Sequence, residues 1–116
     1  MSEDVTPVQI NFTDDFKRQL RKLAKRYRNI RQDIQPLLDQ LQAGNFVGEQ
    51  IQGIGYPVFK VRVSNSDIQK GKSGGYRVLY YLATPHDVLL LLIYSKMDKA
   101  DIAANVIRDI LKEYYE

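Results

Sequence analysis

Two hydrophobic periods run along this chain, and one replaces the other near residue 45. Val8, Ile10 and Phe12 alternate with polar neighbours, as in a half-buried strand. Thr13 then stands where a helix N-cap belongs, and Asp14 and Asp15 suit the positive end of the helix dipole. Phe16, Leu20, Leu23 and Tyr27 form one apolar stripe at helical spacing. Ile30, Ile34, Leu37, Leu38 and Leu41 form a second. Pro36 either bends that second helix or marks its true start, and Gly44 is its expected stop.

Beyond residue 45 the period falls to two. Gly48, Gly53, Gly55 and Pro57 mark a loop. Residues 58–64 then place Phe59, Val61 and Val63 on one face of a strand, with Lys60 and Arg62 on the other. Residues 65–75 are a polar connection with three glycines, which let a long loop turn and pass close to another backbone. YRVLYYLAT (76–84) reads as a strand, Pro85-His86-Asp87 as a tight turn, and VLLLLIYSK (88–96) as a central strand buried on both faces. Asp98 is placed to cap a last helix, with Asp101 three residues on, and Ile102, Val106, Ile110 and Tyr114 as its stripe. The expected architecture is α+β: strand, helix, helix, a three-stranded antiparallel meander and a C-terminal helix, with the helices packed on one sheet face.

Composition narrows the class. A length of 116 residues is one domain's worth, so residues 1–116 are read as a single unit. Hydrophobic residues at 44% and charged residues at 27% argue against wholesale disorder. Cysteine is absent, which removes disulfide scaffolds and thiol nucleophiles, and there is one histidine. No apolar run approaches the ~20 residues of a membrane span, and no secretory leader is visible at the start, so a cytoplasmic protein is expected, with no membrane partner. Neither a metal site nor a cofactor is expected. KGKSGG (70–75) lacks the spacing of a phosphate loop, and a strand rather than a helix follows it. His86, in a turn, reads as solvent-exposed rather than catalytic.

Charge adds the main functional signal. The net charge is only +3, yet residues 16–31 hold eight Lys or Arg and no acid. Lys17, Arg18, Arg21, Lys22 and Lys25 lie among them, a footprint suited to a polyanion such as RNA. Lys60, Arg62, Arg77 and Lys96 fall on three successive strands. Charges on strands cost stability unless they face water or a ligand, and lysines on sheet edges also block aggregation. Four cations with several tyrosines on adjacent strands favour an anion site over edge protection. Arg77, Leu79 and Tyr81 share one face of their strand, so Tyr81 is a better nucleotide contact than Tyr80, which reads as core.

The segments QGIG (52–55), FKVRV (59–63), KGKSGGYRVLYYL (70–82) and LLLIYSKMDKADI (90–102) resemble RelE/HigB-type toxins of bacterial toxin–antitoxin systems, within the RelE/ParE superfamily. The resemblance is to the HigB-like branch. It spans the whole chain in element order and residues 52–102 in motif detail. It implies a ribosome-dependent, metal-independent endoribonuclease that cuts mRNA in the ribosomal A site and so inhibits translation. It further implies a cognate antitoxin, usually with a helix-turn-helix domain, through which alone the complex meets operator DNA. By position, Lys60 matches the first strand lysine of the RelE pattern, Arg62 falls at its second, and Arg77 matches the arginine of its Gly-x-Arg motif. RelE ends its last strand with Lys-Arg where this chain has Lys96-Met97, and Ala103 falls where RelE has a helical tyrosine, for which Tyr94 is the substitute.

Metal-free RNA cleavage needs a base for the 2′-hydroxyl, charge stabilisation at phosphorus and a proton for the leaving 5′-oxygen. Lys60 among cations is the first choice of base and Lys96 the second, since crowded positive charge favours the neutral amine. Arg77 is expected to bind the scissile phosphate and Arg62 to share that task. Tyr94 or Tyr81 would orient the nucleotide, and Lys70 and Lys72 would extend the surface. Two other readings stay open: a ParE-type toxin that poisons gyrase, and a non-catalytic domain that binds nucleic acid or an antitoxin.

Overall fold

The computed structural model describes residues 7–68 and 75–115. In chain order the elements are β1 (Gln9–Phe12), α1 (Asp14–Arg26), α2 (Ile30–Gln42), β2 (Glu49–Gln50), β3 (Val58–Val63), β4 (Tyr76–Thr84), β5 (Asp87–Ser95) and α3 (Ala104–Tyr115). They build one α+β unit around a mixed sheet in the order β1-β5-β4-β3-β2. The meander of β3, β4 and β5 is antiparallel, and the tight turn between β4 and β5 permits no other pairing of those two strands. The first strand runs parallel to β5 and closes its other edge, so β5 is an interior strand buried on both faces, as its apolar run predicts, while β4 takes the middle of the sheet. The two-residue β2 lies within the stretch read as loop; it is too short for any period to mark it.

Local chemistry fixes the entry into α1. The Thr13 hydroxyl accepts from the Phe16 N–H at 2.9 Å, so Thr13 is the N-cap its position predicts. It also donates to the Leu91 carbonyl at 2.8 Å. The register pairs Leu79 with Leu92 and Tyr80 with Leu90, so Leu91 is an extra, bulged residue on β5. One buried hydroxyl thereby caps the helix and serves a carbonyl at the bulge. Helix α1 ends at Arg26 with Tyr27, the last residue of its apolar stripe, as its C-cap. Pro36 lies inside α2, and Gly44, at φ 89°, follows its end.

The apolar residues divide between the two sheet faces. Phe16, Leu23, Ile30, Ile34, Leu37 and Leu41 bring α1 and α2 against Val61, Val63, Tyr76, Val78, Tyr80, Leu90 and Ile93. The opposite face carries Val58, Leu79, Leu89 and Leu91, covered by Ile107, Ile110 and Leu111 of α3. The helices therefore do not all pack on one side, contrary to the expectation from sequence. Alternation makes both faces of β4 and β5 apolar, and one helix pair covers only one of them.

The last helix also departs from its expected limits. It begins at Ala104, not after Asp98. Asp98 instead pairs with Arg26 at 3.0 Å, and Asp101 pairs with Lys60. Ile102 precedes the helix, while Val106 and Tyr114 are 42% and 44% exposed. Ile110 is buried as expected and Ile102 packs against the same cluster, but the rest of the buried stripe is Ile107 and Leu111 in place of Val106 and Tyr114. Among the described residues, no helix is long and apolar enough to cross a membrane.

Candidate anion site on the sheet

On the face that carries α3, the apolar residues gather under that helix and the cations at one end of the strands. In the ladder Arg62 stands opposite Arg77, and Arg77 stands opposite Tyr94. Two residues along β3, Lys60 stands opposite Leu79 on the same face. Alternation thus puts Lys60, Arg62, Arg77 and Tyr94 together, with directly opposed Cβ atoms about 4.5–5.5 Å apart. Lys96 follows β5 at the adjoining end, half-buried, its N–H donating to the Gly75 carbonyl at 3.0 Å.

Two glycines let backbones approach closely around this site. Gly75, just before β4, has φ 89°, and a Cβ there would sit 2.7 Å from the Val63 carbonyl oxygen. Gly48, before β2, has φ 111°, and its Cβ would meet the Lys60 carbonyl oxygen at 2.6 Å. Both hold β3, and so Lys60 and Arg62, against its neighbours. The chain after β3 is pinned as well: the Asp67 carboxylate accepts from the Asn29 N–H at 2.9 Å, and Asp33 accepts from the Ser66 N–H at 2.9 Å.

Arg77 is the unusual residue. Its exposure is 7%, and its side chain donates to the Tyr76 carbonyl at 3.2 Å. No carboxylate lies within ion-pair distance of it among the described residues. A buried guanidinium without a counter-ion is unfavourable, and like charges directly opposed on a ladder add to that cost. An arriving anion removes both penalties, and the guanidinium fork suits two oxygens of a phosphate.

Beside it, the Tyr94 hydroxyl is buried with no hydrogen-bond partner. Burial pushes its pKa up; Lys60 opposes that shift, Asp101 adds to it, and Arg77 opposes it. The group is therefore a neutral phenol through the neutral pH range, with a proton to donate. Lys60 meets Asp101 at 3.1 Å, with side-chain exposures of 32% and 74%. The cationic surroundings expected for Lys60 are thus incomplete, because this acid faces it. Asp101 is the site residue that sequence reasoning missed: read as part of a helix start, it lies on the connection from β5 to α3, and only tertiary folding brings it to β3.

The other candidates lie elsewhere. Tyr81 is on the same sheet face but four residues further along β4, beside Tyr56 and Tyr115. Tyr80 is core, as predicted, its hydroxyl donating to the Val47 carbonyl at 2.6 Å. Lys17, Arg18, Arg21, Lys22 and Lys25 are exposed on α1, which packs on the opposite face from Arg77. Arg18 pairs with Asp15. The C-terminal end of α1 nonetheless reaches the rim of the site, since Arg26 meets Asp98 two residues after Lys96. Lys70 and Lys72 lie outside the described residues. His86 is exposed in the β4–β5 turn. Among the described residues, no group of three metal-capable side chains gathers.

Compared with known proteins, the chain matches no family model and no characterised protein.

Proposed function

We propose that this protein is a RelE/HigB-type toxin, an endoribonuclease that cuts mRNA on the ribosome and whose steps are carried by its own side chains. The single observation behind this reading is Arg77, a buried guanidinium with no carboxylate partner among the described residues, set between Arg62 and Tyr94 on one sheet face. The motifs around it, KGKSGGYRVLYYL and LLLIYSKMDKADI, supply the family resemblance. The α+β order of strand, two helices, antiparallel meander and last helix supports it.

In this reading Arg77 grips the non-bridging oxygens of the scissile phosphate, and Arg62 shares the charge that grows there. The 2′-oxygen attacks phosphorus and the bond to the 5′-oxygen breaks, leaving a cyclic phosphate and a 5′-hydroxyl. Lys60 stands beside a carboxylate as well as cations. With Asp101 against it, we assign the 2′-hydroxyl proton to the exposed Asp101 carboxylate and the proton for the leaving oxygen to Lys60. Tyr94 donates its free O–H to a phosphate oxygen. Lys96 adds positive charge at the rim. The basic face of α1 meets ribosomal RNA phosphates, and an antitoxin with an acidic segment masks the site until it is released.

Induced expression without an antitoxin, with 5′-end mapping of transcripts, tests the reading. Growth arrest with cuts in translated messages is expected. Harmless expression with intact transcripts overturns the proposal. Arrest with intact transcripts and altered DNA supercoiling overturns it in favour of the gyrase-directed branch.

A further inference from the structure

The same sheet face carries a second, separate recess at the C-terminal half of α3. It measures about 450 Å³ and is lined by Tyr56, Tyr81, Arg108, Leu111, Lys112 and Tyr115. Tyr81 is half-buried, and its ring stands nearly perpendicular to those of Tyr56 and Tyr115, with centroids 5.9 and 6.1 Å away. Tyr56 and Tyr115 are 50% and 58% exposed. Arg108 is held in place by donating to the Gly53 carbonyl at 2.8 Å. Among the described residues the lining carries two cations and no acid. Asp87, whose charge reaches the Tyr115 hydroxyl, accepts a hydrogen bond from Thr84 at 2.8 Å.

Exposed aromatic rings beside fixed positive charge are how proteins hold single-stranded nucleic acid without reading its sequence. The recess is four residues along β4 from Arg77, about 13 Å at the rise of a strand. We infer that it is a distal subsite for single-stranded RNA, which takes a base against the tyrosines and its phosphate against Arg108 and Lys112 while Arg77 holds the scissile phosphate. This inference rests on the RNA reading given above. It adds that the substrate spans both recesses and that its length matters.

Binding of fully 2′-O-methylated RNA oligomers, which cannot form the attacking 2′-oxygen, tests it by fluorescence anisotropy at low salt. Lys112→Glu changes an exposed side chain and is the primary variant. Tyr81→Leu, checked by circular dichroism for an intact fold, is the second. Each is expected to weaken an octanucleotide about ten-fold, within the range for losing one stacked base, and to leave a dinucleotide unchanged. Arg77→Ala is expected to weaken both ligands. Octanucleotide binding that is unchanged in Lys112→Glu overturns the subsite, even where Arg77→Ala still weakens both oligomers and the RNA reading stands. Binding unchanged by Arg77→Ala but weakened by Lys112→Glu leaves the subsite in place and counts against the catalytic reading. A short polyglutamate peptide that binds in a Lys112-dependent way, with the octanucleotide indifferent to Lys112, also overturns the subsite, in favour of an acidic protein partner.

Discussion

Arg77 and Arg62 face each other across an antiparallel pair, where stability alone would place an opposite charge or an apolar couple. A residue held against its own stability is one whose removal separates folding from function. Arg77→Met keeps much of the volume and deletes the buried charge. It is expected to raise stability by about 1 kcal/mol or more, as buried ionic groups replaced by apolar ones often do. Cleavage is expected to fall ~100-fold or more with loss of the transition-state donor. Urea unfolding and a cleavage assay on the same preparation check both halves. A destabilised variant would mean that Arg77 holds the fold. Asp101 is the contrasting residue: at 74% exposure its pair with Lys60 contributes little to stability, so its value lies in chemistry. The shared face of Lys60 and Arg62 was legible in the sequence because strand alternation assigns faces residue by residue, whereas Tyr94 came from the family resemblance and its place opposite Arg77 from the register. Asp101 was not legible, because no period links a connection after β5 to the middle of β3.

Elements with their own capping chemistry were equally legible. Thr13 predicts where α1 starts, and Gly44 predicts where α2 stops, because both act within one turn of the chain. The last helix was legible only as a helix. Its phase depends on which side meets Leu79, Leu89 and Leu91, and that is a property of docking. A pair of substitutions separates the two phases. Ile107→Ala removes a side chain that is 1% exposed and is expected to cost about 2–5 kcal/mol. Val106→Ala, at an exposed position of the same helix, is expected to stay within about 0.5 kcal/mol. Denaturant midpoints for the two variants check this, and equal losses would contradict the packing of α3. The packing also matters for the site, since the cluster that α3 covers includes Tyr94 beside Arg77.

At the scale of the molecule, several of its eight tyrosines are held in environments that resist ionisation. Burial raises the pKa of Tyr76, with Asp33 and Asp67 adding to the shift, and burial alone pushes Tyr80 up to about 12. Tyr94 is raised by burial as well. In the unfolded chain these phenols lose their protons near pH 10. Above that value the folded state retains more protons than the unfolded one, so stability falls as pH rises. The contribution is fully present below about pH 10 and is lost progressively as pH climbs toward the folded value of Tyr80, about 12. Thermal melts across this window should show a steadily falling midpoint. Phenolate absorbance should show a group of tyrosines that titrates only as the fold gives way, and a set that titrates early without unfolding would contradict their burial.

By itself the amino-acid sequence determined the helices and main strands, the N-cap at Thr13, the antiparallel meander, the core role of Tyr80 and the shared face of Lys60 and Arg62. Each of these follows from interactions within a few residues or from the strict alternation of a strand. Tertiary structure alone decided that β1 runs beside β5, that α3 takes the opposite face from α1 and α2, that Asp101 meets Lys60, and that Tyr81 joins Tyr56 and Tyr115 instead of Arg77. Those outcomes depend on which surfaces meet after the chain has folded back on itself, and contacts between residues dozens of positions apart leave no period to read.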